Sequence, residues 1–293
     1  MKPLLQCIIP VGSTQIDNTN LIKSILASST NIKFIIVFDL APETIREELI
    51  ELAKGDSRLS FFSVNAGNPG AARNMGLNHM DAEWTVFFDA DDLFYIDKVF
   101  REIQSINASV DAIVYNFRIC FSGGDTSEVN HVLPNSFEVG ANWQKIAKFP
   151  GIWRWVFRSS TLENLRFEEI KMGEDVCFLS DYLSSERRIL FSELLVYEYS
   201  KQNSSQLTRS KTAMQDLVFA FEHVLVNIKE KPQINLDLRI DLASLLYYAC
   251  LRKANHRERL EVIKKCAGFA LKSKWNFRQS ARIFLSRLKV KYG

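Results

Sequence analysis

The most informative stretch of this chain is Trp84-Thr-Val-Phe-Phe-Asp-Ala-Asp-Asp92. Its first five residues are almost entirely apolar and predict a buried strand, which runs directly into three carboxylates. Carboxylates crowded at a strand end raise one another's pKa values unless a cation lies among them. Mg2+ or Mn2+, with phosphate oxygens of a ligand completing the coordination, suits such a group. The stretch therefore predicts a metal–diphosphate site.

Strand-like apolar runs alternate with helix-like segments through the first 120 residues or so. The predicted strands are 4–11, 32–39, 59–65, 84–89 and 112–121. The predicted helices between them are 18–28, 42–54, 70–80 and 95–106. This alternation predicts an α/β fold with a mostly parallel, Rossmann-like sheet. Ligands of such sheets bind at the carboxyl ends of strands, where Asp39 and Asp89 lie.

The composition is that of a globular protein, with 47% hydrophobic and 24% charged residues in 293. No apolar run approaches the roughly 20 residues that cross a bilayer. The N-terminus is not expected to be a signal peptide, because it is short and broken by Pro3 and Pro10. The five cysteines show no Cys-x-x-Cys spacing, which favours a reducing, cytoplasmic compartment over a disulfide framework.

Positive and negative charges are distributed unevenly along the chain. Residues 251–293 hold 13 Lys and Arg against two acids, a net of +11, whereas residues 1–250 carry a net of −8. The strand signal stops after Leu207, and helices are predicted at 214–229, 236–254, 258–271 and 277–288. We therefore expect two domains, an α/β domain at 1–207 and a basic helical region at 208–293. Its cations alternate with apolar residues such as Trp275 and Phe284, which favours an anionic membrane surface as partner. No nucleic-acid motif accompanies the charge, so nucleic acid is not expected.

The segment Asn68-Pro-Gly-Ala-Ala-Arg-Asn74 is typical of a capped helix start, with Asn68 as N-cap and proline in first position. The small residues that follow also leave the first turn open to close approach by another group. Arg73 offers a planar cation suited to phosphate or a base edge. We interpret the segment as a ligand contact.

Two later motifs have both a structural and a functional interpretation. Glu174-Asp175 follows Gly173 and predicts a helix entering the core from an open loop, with one of the two acids pointing into a site. Trp153-Arg154-Trp155 is either a core strand with Arg154 in solvent or a platform on which a sugar stacks. His131, in the polar region 122–140, is a weaker candidate metal ligand. The chain has no Gly-x-Gly-x-x-Gly or Walker loop.

The order of these motifs resembles the family 2 glycosyltransferases of the GT-A fold, in particular bacterial members that build cell-surface polysaccharides. The resemblance covers about residues 4–208. It rests on the segments Cys7-Ile-Ile-Pro10, Asn68–Asn74, Asp89-Ala-Asp91, Trp153–Arg158, Leu165-Arg-Phe167, Gly173-Glu-Asp175 and Val196–Tyr199.

The resemblance implies an inverting transfer of a sugar from a UDP-linked donor to a hydroxyl of a glycan or lipid-linked acceptor. It implies nucleotide-binding roles for Pro10, Asp39, Asn68, Gly70, Arg73, Asp89 and Lys201. Asp91 would hold the Mn2+ or Mg2+ ion that bridges the phosphates. Asp175 would be the general base, with Glu174 and Trp153 near the acceptor. An acceptor of this kind would place the enzyme at the cytoplasmic face of the plasma membrane.

The chain departs from the family where many members have Asp-Asp-Gly-Ser after the second strand, since it has Phe38-Asp-Leu-Ala-Pro42. The first loop, Val11–Gln15, also lacks the common Tyr-Asn. Two alternatives stay open. A haloacid-dehalogenase-like phosphatase also uses an apolar strand ending in Asp-x-Asp. That family has Thr or Val at the position that Leu93 occupies in this chain. The other alternative is a degenerate transferase that binds nucleotide sugars without turnover.

Overall fold

The computed structural model describes residues 3–13, 18–28, 31–106, 109–121, 126–129, 143–200 and 213–272. The chain forms two compact units. The first, here the sheet unit, comprises Met1–Val139, Gly151–Glu169 and Arg187–Gln206. The second, the helical unit, comprises Gly140–Pro150, Ile170–Glu186 and Leu207–Gly293. The helical unit thus takes in two segments that lie before residue 208.

The sheet unit is built on nine described strands. They are β1 (Leu5–Val11), β2 (Ile32–Asp39), β3 (Leu59–Val64), β4 (Trp84–Phe87), β5 (Leu93–Phe94), β6 (Ala112–Cys120), β7 (Thr126–Val129), β8 (Trp155–Arg158) and β9 (Ile189–Ser200). They form one sheet in the order β3-β2-β1-β4-β8-β6-β9-β5, with β7 paired to β6. Four helices of this unit connect the early strands: α1 (Asn18–Leu26), α2 (Glu43–Leu52), α3 (Pro69–Asn78) and α4 (Ile96–Ser105).

The first half of the sheet follows the prediction. Strands β3, β2, β1 and β4 are parallel neighbours, and Ile8 of β1 lies opposite Ile35 of β2 and Phe87 of β4. These three side chains are fully buried. Burial on both faces explains why β1, β2 and β4 consist of continuous apolar runs, whereas β3, at the edge of the sheet, is only partly buried.

The second half of the sheet corrects the expectation of a mostly parallel arrangement. Strand β8 runs antiparallel to both of its neighbours, β4 and β6, and β5 runs antiparallel to β9. Only β6 and β9 pair in parallel there. The sheet is therefore mixed, with its parallel order confined mainly to the strands that precede the acidic stretch.

The helical unit contains five described helices. They are α5 (Trp143–Lys148), α6 (Glu174–Tyr182), α7 (Ala213–Glu230), α8 (Leu236–Lys253) and α9 (His256–Lys272). The fully buried Arg239 of α8 donates hydrogen bonds to the carbonyl oxygens of Asn227, Lys231 and Ile234, where α7 ends. A cation that satisfies the last carbonyls of a helix stabilises that end. The predicted helix at 277–288 lies outside the described residues.

Candidate functional site

Asp39 ends β2 at the carboxyl edge of the parallel strands, and its carboxylate holds the loop before α3. Its Oδ1 accepts hydrogen bonds from the backbone N–H groups of Ala66 (2.9 Å) and Gly67 (2.8 Å). Its Oδ2 accepts one from Asn68 N–H (2.8 Å). A carboxylate offers about four acceptor positions, so, counting donors from the described ranges, Oδ2 has one left for a ligand donor. The predicted contact of Asp39 with a base stays a prediction that this geometry permits.

Asn68 caps α3 as the sequence predicts, because its Oδ1 accepts a hydrogen bond from Ala71 N–H at 2.8 Å. The small residue at position 70 has a structural explanation. A Cβ atom on Gly70 would lie 2.2 Å from the carbonyl oxygen of Glu168, so the group that approaches α3 closely is the protein's own backbone. A nucleotide contact at Gly70 stays a prediction.

We expect Gly70→Ala to destabilise the sheet unit, because either α3 or the backbone at Glu168 must move. Overpacking of this kind costs about 1–3 kcal/mol. That cost corresponds to a melting temperature lower by roughly 2–12 °C, measured by differential scanning calorimetry. Gly12→Ala is the control, since none of the atoms that the structure describes lies within 4 Å of a Cβ atom there. Equal melting temperatures for the two variants would contradict the packing role.

Arg73 of α3 is buried and reaches the acidic stretch. Its Nη2 atom donates to Asp89 Oδ1 at 2.9 Å, and its guanidinium lies 5.3 Å from the centre of the Phe167 ring. Two residues that were predicted to line the nucleotide site are thus brought together. Arg73 also balances one of the three carboxylates of the acidic stretch.

Asp92 is tied to β9 through both of its oxygens. Its Oδ2 accepts the Tyr197 hydroxyl hydrogen at 2.5 Å, and its Oδ1 accepts Ser200 N–H at 2.7 Å. Burial, together with the charges of Asp89 and Asp91, raises the pKa of Asp92 to about 8. The crowding that the sequence predicted is therefore present at the end of β4, and the hydrogen bonds from Tyr197 and Ser200 offset part of it.

The acidic stretch offers hard oxygen ligands of the kind that Mg2+ and Mn2+ take. Among the described residues, no group of three or more His, Cys, Asp or Glu side chains is arranged to hold a metal ion by itself. A cation here would be held by one or two carboxylates and by phosphate oxygens of the ligand, which is the usual arrangement for Mg2+. Burial is the main cause of the raised pKa of Asp92 and the neighbouring carboxylates add to it, so a cation would relieve only that second part.

Trp153 lies in a stack of aromatic rings of the sheet unit. Its ring centre is 4.3 Å from that of Tyr197 and 5.7 Å from that of Tyr199, with interplanar angles of 13° and 6°. Only 7% of Trp153 is exposed, so tyrosines of β9 cover most of the predicted sugar platform. Its contact with an acceptor stays a prediction.

The structural interpretation of this motif, with Arg154 in solvent, is wrong in one respect. Arg154 is 1% exposed, donates through Nε to the Tyr115 carbonyl oxygen at 3.2 Å and lies over the Phe117 ring. Burial lowers the pKa of Arg154 to about 9.

In the helical unit, Glu174 and Asp175 form the first turn of α6, where acidic side chains are stabilised by the helix dipole. Glu174 is buried and Asp175 is partly exposed, so the two acids point in different directions, as their spacing predicts. Gly173 before them has a φ of 93°, and a Cβ atom there would lie 2.8 Å from Ala220 Cβ. Glycine thus permits both the turn and the packing of α6 on α7.

The position of α6 is fixed by polar contacts that the sequence did not reveal. Asp181 Oδ1 lies 2.9 Å from His223 Nε2 and accepts Asn227 Nδ2 at 2.7 Å. Asn227 Oδ1 in turn accepts a hydrogen bond from the buried Arg239. These four residues lie on three helices and have no common motif, so no sequence pattern indicated them.

Two predicted site residues lie outside the described residues: Lys201, a predicted nucleotide contact, and His131, a candidate metal ligand.

The chain matches the family model "Glycosyl transferase family 2" over residues 19–179, more than half of its length. It therefore belongs to glycosyl transferase family 2. It is 30% identical over 177 residues to the uncharacterized glycosyltransferase RC0461 of Rickettsia conorii, covering 59% of this chain and 29% of that protein. It is 27% identical over 224 residues to glycosyltransferase GlyA of Streptococcus pneumoniae, covering 70% of this chain and 32% of that protein. The chain thus spans about 30% of the length of these two relatives.

A third relative matches over most of its length. It is the GalNAc(5)-diNAcBac-PP-undecaprenol beta-1,3-glucosyltransferase of Campylobacter jejuni, 26% identical over 216 residues, which are 72% of this chain and 70% of that protein. Among solved structures, S. aureus TarS 1–349 in complex with UDP-GlcNAc superimposes with a TM-score of 0.70 at 16% identity, covering 91% of this chain and 80% of TarS 1–349. This likeness confirms the predicted GT-A fold.

Proposed function

We propose that this chain transfers a sugar, with inversion, from a nucleotide-diphosphate donor to a hydroxyl of a glycan or lipid-linked acceptor. The observation that carries the proposal is the family match over 19–179. It includes all the predicted site residues except Pro10 and Lys201. The structure of TarS with UDP-GlcNAc supports a UDP-linked donor, and the name of the C. jejuni relative supports a lipid-linked acceptor in bacterial polysaccharide synthesis.

The donor would be bound in the sheet unit. Asp39 would accept one hydrogen bond from the base beside Pro10, and Asp89, oriented by Arg73, would approach the ribose. Asp91 would hold Mn2+ or Mg2+ together with the donor's phosphate oxygens. When bound, such a cation stabilises the negative charge that builds on the leaving diphosphate.

Asp175 would act as general base. Its carboxylate would take the proton of the acceptor hydroxyl as that oxygen bonds to the anomeric carbon, while the bond from this carbon to the diphosphate oxygen breaks. One base suffices for inversion, because the leaving diphosphate does not need the second acid that glycoside hydrolases use. The buried Glu174 would help to define the acceptor region.

A thermal-shift screen tests this proposal. Nucleoside diphosphates and nucleotide sugars, each with and without Mn2+, are added to the purified protein. We expect the melting temperature to rise only when a diphosphate nucleotide and the cation are both present. The family match does not favour the two alternatives. Hydrolysis of a simple aryl phosphate would support the phosphatase, and metal-dependent nucleotide binding without any turnover would support the binding protein.

We also propose that the basic C-terminal residues hold the protein on an anionic membrane surface. None of the helices that the structure describes is both long and apolar enough to cross a bilayer. Within α9, Val262 and Cys266 are buried, whereas Leu260 and Ile263 are exposed at 48% and 40%. The helix therefore packs on its own unit through one face and carries apolar side chains on another.

The membrane proposal predicts co-sedimentation of the full chain with anionic vesicles at low salt and little with neutral ones. Each Lys or Arg near an anionic surface contributes about 1 kcal/mol. Truncation after Lys272 leaves α9 in place and removes Lys274, Arg278, Arg282, Arg287, Lys289 and Lys291. We expect the truncated protein to stay largely in the supernatant. Equal recovery of both proteins in the supernatant would reject the membrane partner.

A further inference from the structure

We propose that Leu40 forms an apolar wall against the ring face of the donor's nucleobase and so contributes to nucleotide affinity. The inference rests on the proposed function, because it assumes that a nucleotide binds at the carboxyl edge of β2. Leu40 directly follows Asp39, the last residue of that strand.

The backbone of Leu40 is in an unusual conformation for its residue type. Its φ is 57°, in the left-handed region that a bulky side chain occupies only at a cost. The only other non-glycine residue with positive φ in the described ranges is Asn235, a residue type that tolerates this conformation. Glycine at position 40 would avoid the strain. Residues held in such conformations cluster at ligand sites, which suggests that the leucine side chain is used.

The side chain of Leu40 is also largely exposed, so part of its apolar surface is open to a ligand. It is 52% exposed, and it lies over the backbone of Gly67, whose own φ is 68°. A Cβ atom on Gly67 would come within 3.1 Å of Leu40 Cδ1. Both residues adjoin the carboxylate of Asp39, which fixes the loop through Gly67 N–H. Leu40 is therefore held at the edge of the sheet where ligands of parallel sheets bind.

Asp39 and Leu40 would contact different parts of a nucleobase. Asp39 Oδ2 has one acceptor position left, which suits a single ring N–H of a base. Leu40 has no polar atom in its side chain and can only cover apolar surface. In a nucleoside diphosphate the ribose and the phosphates are polar, so the ring face of the base is the part that an apolar wall fits.

The test compares Leu40→Gly and Leu40→Asn with the wild type. The dissociation constant of UDP is measured by calorimetric titration in Mn2+, and the melting temperature is measured without nucleotide. We expect UDP to bind about 3- to 10-fold more weakly, since part of a leucine's burial is lost. The melting temperature should not fall, because both replacements relieve the strain. Leu52→Ala, which shortens a leucine that is 40% exposed on α2, is the control and should leave both quantities unchanged.

Binding of ribose 5-diphosphate, which lacks a base, shows whether Leu40 contacts the base or another part of the nucleotide. Its affinity should be the same in the wild type and in both Leu40 variants. An equal loss for UDP and for the abasic probe would overturn the base contact, as would unchanged UDP affinity. A lower melting temperature of both variants would make Leu40 a packing residue and also overturn it. If the wild type binds no nucleotide at all, the proposed function itself fails, and the inference with it.

Discussion

Asp175→Asn is expected to abolish sugar transfer while the donor still binds with nearly wild-type affinity. The replacement keeps the shape of the side chain but cannot accept the proton of the acceptor hydroxyl. Loss of a positioned general base typically lowers the rate by about 10²–10⁴-fold. The turnover number and the dissociation constant of the donor, measured on the same preparation, separate the chemical step from binding.

Glu174→Gln is the matched control, because it makes the same chemical change one residue earlier on α6. Glu174 is buried and Asp175 is partly exposed, so Asp175 is the more accessible of the two to an acceptor hydroxyl. We expect Glu174→Gln to keep most of the turnover. Normal turnover of Asp175→Asn together with an inactive Glu174→Gln would show that Asp175 is not the general base.

Asp91→Ala is the second change with a large expected effect. Removing this carboxylate should abolish the increase in nucleoside diphosphate affinity that Mn2+ produces, because Asp91 would hold the cation against the phosphate oxygens of the nucleotide. Titration of UDP with and without Mn2+ measures this difference directly.

Two controls make the Asp91 result specific. Asp81→Ala removes an exposed acid paired with Lys33 and should change nothing, since surface pairs contribute little. Asp92→Asn should retain most of the metal-dependent binding, because its role is to tie the acidic stretch to β9. Undiminished metal-dependent binding by Asp91→Ala would reject the metal assignment.

Strands β1, β2 and β4 were predictable because strands that are buried on both faces consist of continuous apolar runs. The predicted strand at 32–39 coincides with β2, and the run that starts at Trp84 contains β4. The acidic stretch was equally visible, since its three carboxylates follow one another directly. Local patterns therefore defined both the early sheet and the centre of the candidate site.

The pairing of β5, β8 and β9 was not predicted, because it depends on contacts across long separations in the sequence. Trp84 of β4 lies opposite Arg158 of β8, and Leu93 of β5 lies opposite Glu198 of β9. The same separation hid the partners of Asp92. Tyr197 belongs to a segment that resembles the family, but nothing in the sequence indicated that its hydroxyl reaches a carboxylate 105 residues away.

The surroundings of two residues depend on neighbours that the sequence does not identify. The small residues at the start of α3 permit a close approach, which the backbone of Glu168 makes at Gly70, and a ligand contact there stays a prediction. Arg154 was expected in solvent if it lay in a core strand, but Tyr115 and Phe117 surround it. In each case a neighbour from a distant segment, which the sequence does not identify, determines the environment.

Release of UDP from a UDP-sugar by the wild-type protein, with Mn2+ and then with excess EDTA, tests the central claim most directly. The account predicts that a hydroxyl acceptor accelerates the release, that EDTA stops it, and that Mn2+ restores it. Asp91→Ala should behave in Mn2+ as the wild type does in EDTA. Acceptor-dependent release that continues unchanged in EDTA and in Asp91→Ala would contradict the metal–diphosphate site at the end of β4.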